Sequence, residues 1–194
     1  MKTIILDNGH GADTPGKRSP KWADGAPQFF EYAYNRRLVQ AIHARLKEAG
    51  IRSVILVPET EDIPLRERTA RANEIAMKSG IAQTLVVSVH GNASINHDGS
   101  GWEIWTSEGH TKSDDYAKVF LDEAYHFVGS KSFCIRGIKE SNFYILKHTA
   151  CPAVLTENLF FDNRRDYDFL MSQEGFDAIV NLHVSAILKI CSRV

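Results

Sequence analysis

The sequence predicts a three-layer α/β fold: a twisted, mostly parallel (mixed) sheet of about six strands flanked by helices. Three observations predict it. Short apolar runs, most of them rich in β-branched residues, alternate along the chain with stretches of helical period. The runs are apolar at consecutive positions, as in strands covered on both faces. Polar clusters follow directly after three of these runs, where sites form in open α/β sheets.

The first strand is expected over residues 3–6, Thr3-Ile4-Ile5-Leu6. Residues 11–30 then break the rhythm. They carry Gly11, Pro15, Gly16, Pro20, Gly25 and Pro27 with no periodicity, and a structureless stretch of that length in a folded domain is usually functional. Tyr34, Leu38, Ile42, Leu46 and Ala49 share one helical face, and Gly50 is a suitable terminator. A strand over 52–57 follows, then a helix carrying Leu65, Thr69, Ala72 and Ala76 on one side, then a strand over 84–89. Residues 101–106 alternate, with Trp102, Ile104 and Thr106 on one side and Glu103 and Trp105 on the other, so one of the two tryptophans belongs to the core. Tyr116, Val119, Phe120, Ala124 and Phe127 mark a third helix; 143–146 reads as a weaker strand and 153–156 as a strong one. Phe176, Ile179, Val180, His183, Ile187 and Ile190 line the last helix, which makes His183 a core histidine. The pattern leaves the strand order open.

Composition bounds the function. At 194 residues the chain is expected to form one domain over 1–194 with a full core. Hydrophobic residues are 43% and charged residues 24%, which excludes a disordered or fibrous chain. Lys and Arg number 23 against 24 Asp and Glu, a net charge of -1. That balance gives no footprint for nucleic acid or an anionic membrane as partner. No apolar run approaches the ~18 residues that span a bilayer. The opening Met-Lys-Thr-Ile-Ile-Leu is cut off by Asp7, short of the roughly 7–15 apolar residues of a secretory segment. The expectation is a product without its own export signal, cytoplasmic until released, or secreted if the sequence is a piece of an exported protein. Cys134, Cys151 and Cys191 are an odd set without CxxC spacing and fit reduced thiols. The Asn92-Ala93-Ser94 sequon is then a chance match. The oligomeric state stays open.

Four residues carry the chemistry. Strand 3–6 runs into Asp7-Asn8-Gly9-His10-Gly11, strand 84–89 into His90-Gly91-Asn92, and strand 153–156 into Glu157-Asn158. If the strands are parallel, His10, His90 and Glu157 meet at one edge of the sheet. Two imidazoles make an incomplete site, because catalytic zinc takes three protein ligands and keeps one position for water. Glu31 is the third candidate. It opens the first helix seven residues before Leu38, so it points with the core-facing stripe, where a bare carboxylate is costly and a cation removes the cost. Glu157 is then a free carboxylate beside the metal, able to take a proton from water and deliver it to a leaving amine. That set performs amide hydrolysis. Taken singly, each residue also has a plain structural reading: His10 as a hydrogen-bonding loop residue, Glu31 as a first-turn acid favoured by the helix dipole, Glu157 as an ion-pair partner. A nucleotide loop is excluded, since the third glycine of GxGxxG would fall on Thr14 and no GK[ST] follows.

The motifs Leu6-Asp7-Asn8-Gly9-His10-Gly11, Glu31 with Asn35, Ser88-Val89-His90-Gly91-Asn92 and Pro152-Ala153-Val154-Leu155-Thr156-Glu157, in this order, resemble the zinc-dependent N-acetylmuramoyl-L-alanine amidases of the amidase-3 type. Leu65-Arg66-Glu67-Arg68 with Asn73, Gly101-Trp102-Glu103-Ile104 and Phe161-Asp162-Asn163 fit the same pattern, so the likeness covers nearly the whole chain. The resemblance implies one Zn2+ per chain held by His10, Glu31 and His90, with Glu157 as catalytic carboxylate. It also implies peptidoglycan as partner, cleaved between the muramic acid lactyl group and L-alanine, as by an autolysin or a phage or prophage endolysin. Ala12, where the family often has a second glycine, and Asn158-Leu159 depart from the pattern without touching a ligand. Two other readings are a zinc peptidase cutting within the stem peptide and a non-catalytic peptidoglycan-binding module.

Asn92, Asn158 and His148 are the candidate substrate contacts; Asn92 serves equally well to orient His90. Arg66 and Arg68 open the second helix, where an ion pair is the expected role. Trp22, Phe29 and Phe30 either wall a groove or pack the 11–30 loop down.

Overall fold

The sheet order explains why distant residues meet. In this computed structural model, which describes residues 2–192, the elements are β1 (Thr3–Asn8), α1 (Glu31–Glu48), β2 (Arg52–Ile55), α2 (Leu65–Ser79), β3 (Thr84–Asn92), β4 (Trp102–Thr106), α3 (Lys112–Phe127), β5 (Ile135–Glu140), α4 (Tyr144–Lys147), β6 (Ala153–Phe160), α5 (Arg164–Met171) and α6 (Gln173–Ser192). The strands lie in the order β2-β1-β3-β6-β4-β5. β2, β1, β3 and β6 run parallel; β4 pairs antiparallel with β6 and parallel with β5. The carboxyl ends of β1, β3 and β6 are therefore neighbours, and the start of β4 joins them.

Side-chain alternation divides the sheet into two unlike faces. Ile4, Leu6, Leu85, Val87, Val89, Trp102, Ile104 and Val154 face the larger core, against α1, α3 and α6. Ile5, Val86, Ala153 and Leu155 face a smaller one, covered by α2 and the single turn of α4. Of the two tryptophans in β4, Trp102 is the core residue; it is fully buried and donates its indole N–H to Asn158 Oδ1 at 3.0 Å. α6 is long and apolar enough to cross a membrane by length and composition, but its apolar sides are buried against α1, α3 and α5, and it is a core helix.

The expected strand over 143–146 is corrected: Tyr144–Lys147 is a helical turn, with the Phe143 carbonyl accepting from the backbone N–H of Leu146 and Lys147 at 3.0 and 2.9 Å. A four-residue apolar run has no readable period. Here Ile145 and Leu146 are buried side by side against α2, which a turn allows and an alternating strand does not. The sixth strand is β5 instead. It is an edge strand with Arg136, Lys139 and Glu140 exposed or half-exposed and Gly137 at φ 88°, a composition that hides its strand character. β3 and β6 also run further than the apolar residues suggest, through His90 and Glu157, because the two strands keep pairing there. α5, too short to show a period, is capped by Asn163, whose side chain accepts from the N–H of Arg165 and Asp166.

His183 is fully buried on α6, as its place on the apolar stripe predicts. Its Nδ1 lies 2.8 Å from the Ile179 carbonyl, which only accepts, so Nδ1 carries the proton. Nε2 then accepts from the Thr156 hydroxyl at 3.0 Å. Burial lowers this imidazole to about 4. An unfolded chain binds a proton here below the ordinary value near 6.5, and the folded chain does so only below about 4. Stability from this site is therefore complete above pH 6.5 and is lost as pH falls towards 4, by about 3 kcal/mol in all. Urea unfolding of metal-free protein at pH 7 and pH 4.5 should show a smaller acid loss in His183→Gln than in the parent. Equal losses would contradict this placement of the proton.

Candidate active site

The first arm is the end of β1. Gly9 passes directly against the His90 imidazole: a Cβ there would stand 2.1 Å from His90 Cε1, so any larger residue would push the ring from its place. His10 follows in the left-handed region, at φ 64°. That backbone is strained for a non-glycine residue, and two guanidinium groups hold it. Arg36 Nη1 and Arg68 Nη2 donate to the His10 carbonyl at 2.9 and 3.3 Å.

The second arm is Glu31, the first residue of α1. Its N–H donates to the Lys17 carbonyl at 3.0 Å, which ties the 11–30 loop to the helix start. The carboxylate is only 1% exposed. Oε1 lies 3.5 Å from His10 Nε2 and 3.3 Å from His90 Nδ1, and receives the Gly91 N–H at 3.2 Å and the Asn35 amide at 3.4 Å. Among the described residues Oε2 is buried with no hydrogen-bond partner. One ligand atom from each of His10, Glu31 and His90 falls within 4.8 Å of the others, a group able to hold a metal ion.

Burial, aided by His90 and Lys17, pushes the His10 imidazole down to about 4, against the opposing pull of Glu31. Burial pushes Glu31 up, but His90, His10 and Lys17 more than offset it, and its carboxyl sits below the usual value. At neutral pH the pocket thus presents an ionised carboxylate and a neutral imidazole. An unpartnered carboxylate oxygen among lone pairs is costly in a dry site, and a divalent cation removes that cost. Two histidines and one glutamate are a donor set of catalytic zinc.

Glu157 stands beside His90 in register on the adjacent strand, about 4.8 Å away, and on the same face. Its Oε2 is likewise without a partner among the described residues. Burial, and then the charges of Glu31 and Glu103, raise its carboxyl well above the usual value, with Lys17 opposing. Glu103, opposite it on β4, is ion-paired to Arg136 and Lys139, each at 2.6 Å. A cavity of about 410 Å³ opens next to these groups, its apolar lining supplied by Ile63, Pro64, Leu65, Phe143, Tyr144 and Leu155.

The three candidate substrate contacts fall elsewhere. Asn158 is fully buried, and its amide is committed to the His90 carbonyl at 2.9 Å, Thr156 Oγ1 at 3.2 Å and the Trp102 indole at 3.0 Å. It braces the strand that carries His90. Asn92 donates to Glu103 Oε1 at 3.0 Å and accepts from the Ala93 N–H at 2.8 Å. His148 is exposed behind Tyr144, ring on ring at 4.1 Å, and it is Tyr144 that lines the cavity. Phe29 stacks on Phe161 and packs at a tilt against Tyr34, and Trp22 packs at a tilt against Tyr167, so they pack the loop down, while Lys17 of that loop reaches the cavity. Sequence reasoning missed Lys17, and also missed Asp7 and Ser88, which form a buried chain with Arg68 behind His90. Their signal was present: polar residues at inward positions of otherwise apolar strands. Arg68 has the ion-pair role expected of it, at 2.7 Å from Asp7.

Replacing Gly9 by Ala should displace the His90 ring while leaving the fold intact. Zinc titration by calorimetry is expected to show at least about a tenfold weaker binding, with an unchanged circular dichroism spectrum. Parent-like affinity would mean that the close approach of β1 to His90 does not shape the site.

Residues 4–189 match the family model described as N-acetylmuramoyl-L-alanine amidase. The uncharacterized protein YqiI of Bacillus subtilis (strain 168) is 31% identical over 184 residues, covering 93% of this chain and 82% of that protein. The N-acetylmuramoyl-L-alanine amidase CwlM of Bacillus licheniformis is 28% identical over 192 residues, covering 97% and 68%. In fold, the crystal structure of N-acetylmuramoyl-L-alanine amidase from Clostridium difficile 630 superimposes with a TM-score of 0.85 at 23% identity, covering 98% of this chain and 97% of that one. With a six-stranded mixed sheet and a match over residues 4–189, the chain belongs to the amidase-3 family of N-acetylmuramoyl-L-alanine amidases.

Proposed function

We propose that this chain is a zinc hydrolase acting on the cell wall, in which His10, Glu31 and His90 hold one Zn2+ and Glu157 moves the proton. The reaction is hydrolysis of the amide joining the lactyl group of N-acetylmuramic acid to L-alanine in peptidoglycan, as in the family. The observation that carries this reading is the convergence of two imidazole nitrogens on a buried, ionised carboxylate, with a second carboxylate one strand away.

When bound, the metal supplies Lewis-acid polarisation of the carbonyl and a lowered pKa for water. The rest falls to the chain. Glu157 accepts a proton from the attacking water as its oxygen adds to the lactyl carbonyl carbon. The same carboxyl then returns that proton to the amide nitrogen as the C–N bond breaks, giving a lactyl carboxylate and the free amine of L-alanine. A carboxyl raised by burial and by neighbouring carboxylates takes up a proton more readily than an exposed one, as the first step requires. Ile63, Pro64, Leu65 and Phe143 give the cavity beside these groups an apolar lining. Lys17 brings the positive charge of the loop to the cavity rim, where it acts on His10, Glu31 and Glu157 alike.

Glu157→Gln should retain one zinc per chain and lose about 10²–10⁴-fold in the rate of sacculus solubilisation. Chelation should abolish activity in the parent, and added zinc should restore it. Mass spectrometry of the released fragments should find a free muramic carboxylate and an intact L-alanine amine. Cleavage within the stem peptide, or parent-like activity in the Gln variant, would overturn the assignment.

A further inference from the structure

Behind His90 lies a buried polar chain that the hydrolytic reading does not use. Asp7, Ser88 and Arg68 are each 2% exposed or less, in a region where polar side chains need a reason. Arg68 Nη1 donates to Asp7 Oδ1 at 2.7 Å. The Ser88 hydroxyl lies 2.6 Å from Asp7 Oδ2 and 3.2 Å from His90 Nε2. A serine hydroxyl has one hydrogen to give. The Asp7 carboxylate, paired with a guanidinium, only accepts, so Ser88 donates to Asp7. Its lone pair is then left for His90, and Nε2 must carry the hydrogen. The other ring nitrogen, Nδ1, keeps its lone pair and faces Glu31 Oε1 at 3.3 Å.

We propose that Asp7, Ser88 and Arg68 are positioning residues of the metal centre: they fix His90 in the Nε2–H form and reserve Nδ1 for the cation. The assignment rests on the metal reading given above. Arg68 also links the two histidine arms. Besides Asp7, it donates to the Asn8 carbonyl at 2.7 Å and to the His10 carbonyl at 3.3 Å, so one guanidinium holds the end of β1 and the partner of the β3 hydroxyl. The strand register places these groups side by side, since Asp7 is paired with Ser88 and His90 follows two residues later on the same face. A histidine ligand whose second nitrogen is held this way has a fixed ring orientation, and losing such a partner typically weakens metal binding about 10–100-fold.

The test uses the whole chain, labelled with 15N-histidine and loaded with zinc. Long-range proton–nitrogen correlations should show His90 bound through Nδ1, with a slowly exchanging hydrogen on Nε2. Ser88→Ala should bind zinc about 10–100-fold more weakly in a chelator competition and exchange the Nε2 hydrogen faster, with an unchanged circular dichroism spectrum. Ser88→Thr, which keeps the hydroxyl and turns its methyl towards the cavity that Ser88 lines, should bind within about threefold of the parent. Coordination through Nε2, or parent-like affinity in Ser88→Ala, would overturn the proposal. Failure of the unaltered chain to bind zinc at all would overturn the metal reading itself, and whether the parent binds tells the two failures apart.

Discussion

The carboxylate of Glu31 is the constraint around which this fold is arranged. It is sealed from water at the start of α1, with one oxygen shared among two imidazole nitrogens and two N–H donors and the other without a partner among the described residues. Apolar packing alone gives no reason to keep a charge there; desolvating one costs several kcal/mol unless it is compensated. Much of the local structure serves to hold the groups in this unfavourable arrangement. Gly9 lets β1 end against His90, two arginines hold His10 at φ 64°, and the Lys17 carbonyl fixes the first N–H of α1. A centre built from strained and desolvated groups has little left to reorganise when a cation arrives.

The two faces of the sheet separate stability from chemistry. One face carries the larger core under α1, α3 and α6, with Trp102 and the satisfied His183 in it. The other is covered only by α2 and one turn of α4, and beyond them the same strands present Asp7, Ser88, His90, Glu157 and Glu103. Strand alternation alone puts these five on one side. Glu31 joins them from the opposite layer because α1 begins level with the carboxyl ends of the strands, close enough that a Cβ on Gly91 would touch its Cγ at 3.8 Å.

The layers and the cluster of His10, Glu31 and His90 were legible in the sequence because both rest on strong local signals. Consecutive apolar residues at 3–6, 84–89 and 153–156 mark strands buried on both faces, and the stripe from Tyr34 to Leu46 marks α1. His10, Glu31 and His90, read from strand ends and a helix start, do meet, and Glu157 is their neighbour in register. What stayed hidden depended on contacts across the sequence. β5 was masked by its own polar edge residues, and the turn at Tyr144–Lys147 looked like a strand because four residues carry no period. Asn158 looked like a site residue by proximity to Glu157, but alternation turns it to the other face, where Trp102 and the His90 carbonyl claim its amide. No spacing rule announces the Asp7–Ser88–Arg68 chain, since Arg68 arrives from a helix 61 residues away from Asp7.

The most direct test of the central claim is anomalous diffraction at the zinc edge from crystals of the metal-loaded chain. The account predicts one strong peak in contact with His10 Nε2, Glu31 and His90 Nδ1, at about 2.0–2.2 Å from each. A zinc peak elsewhere in the molecule, with none among these three side chains, would contradict it.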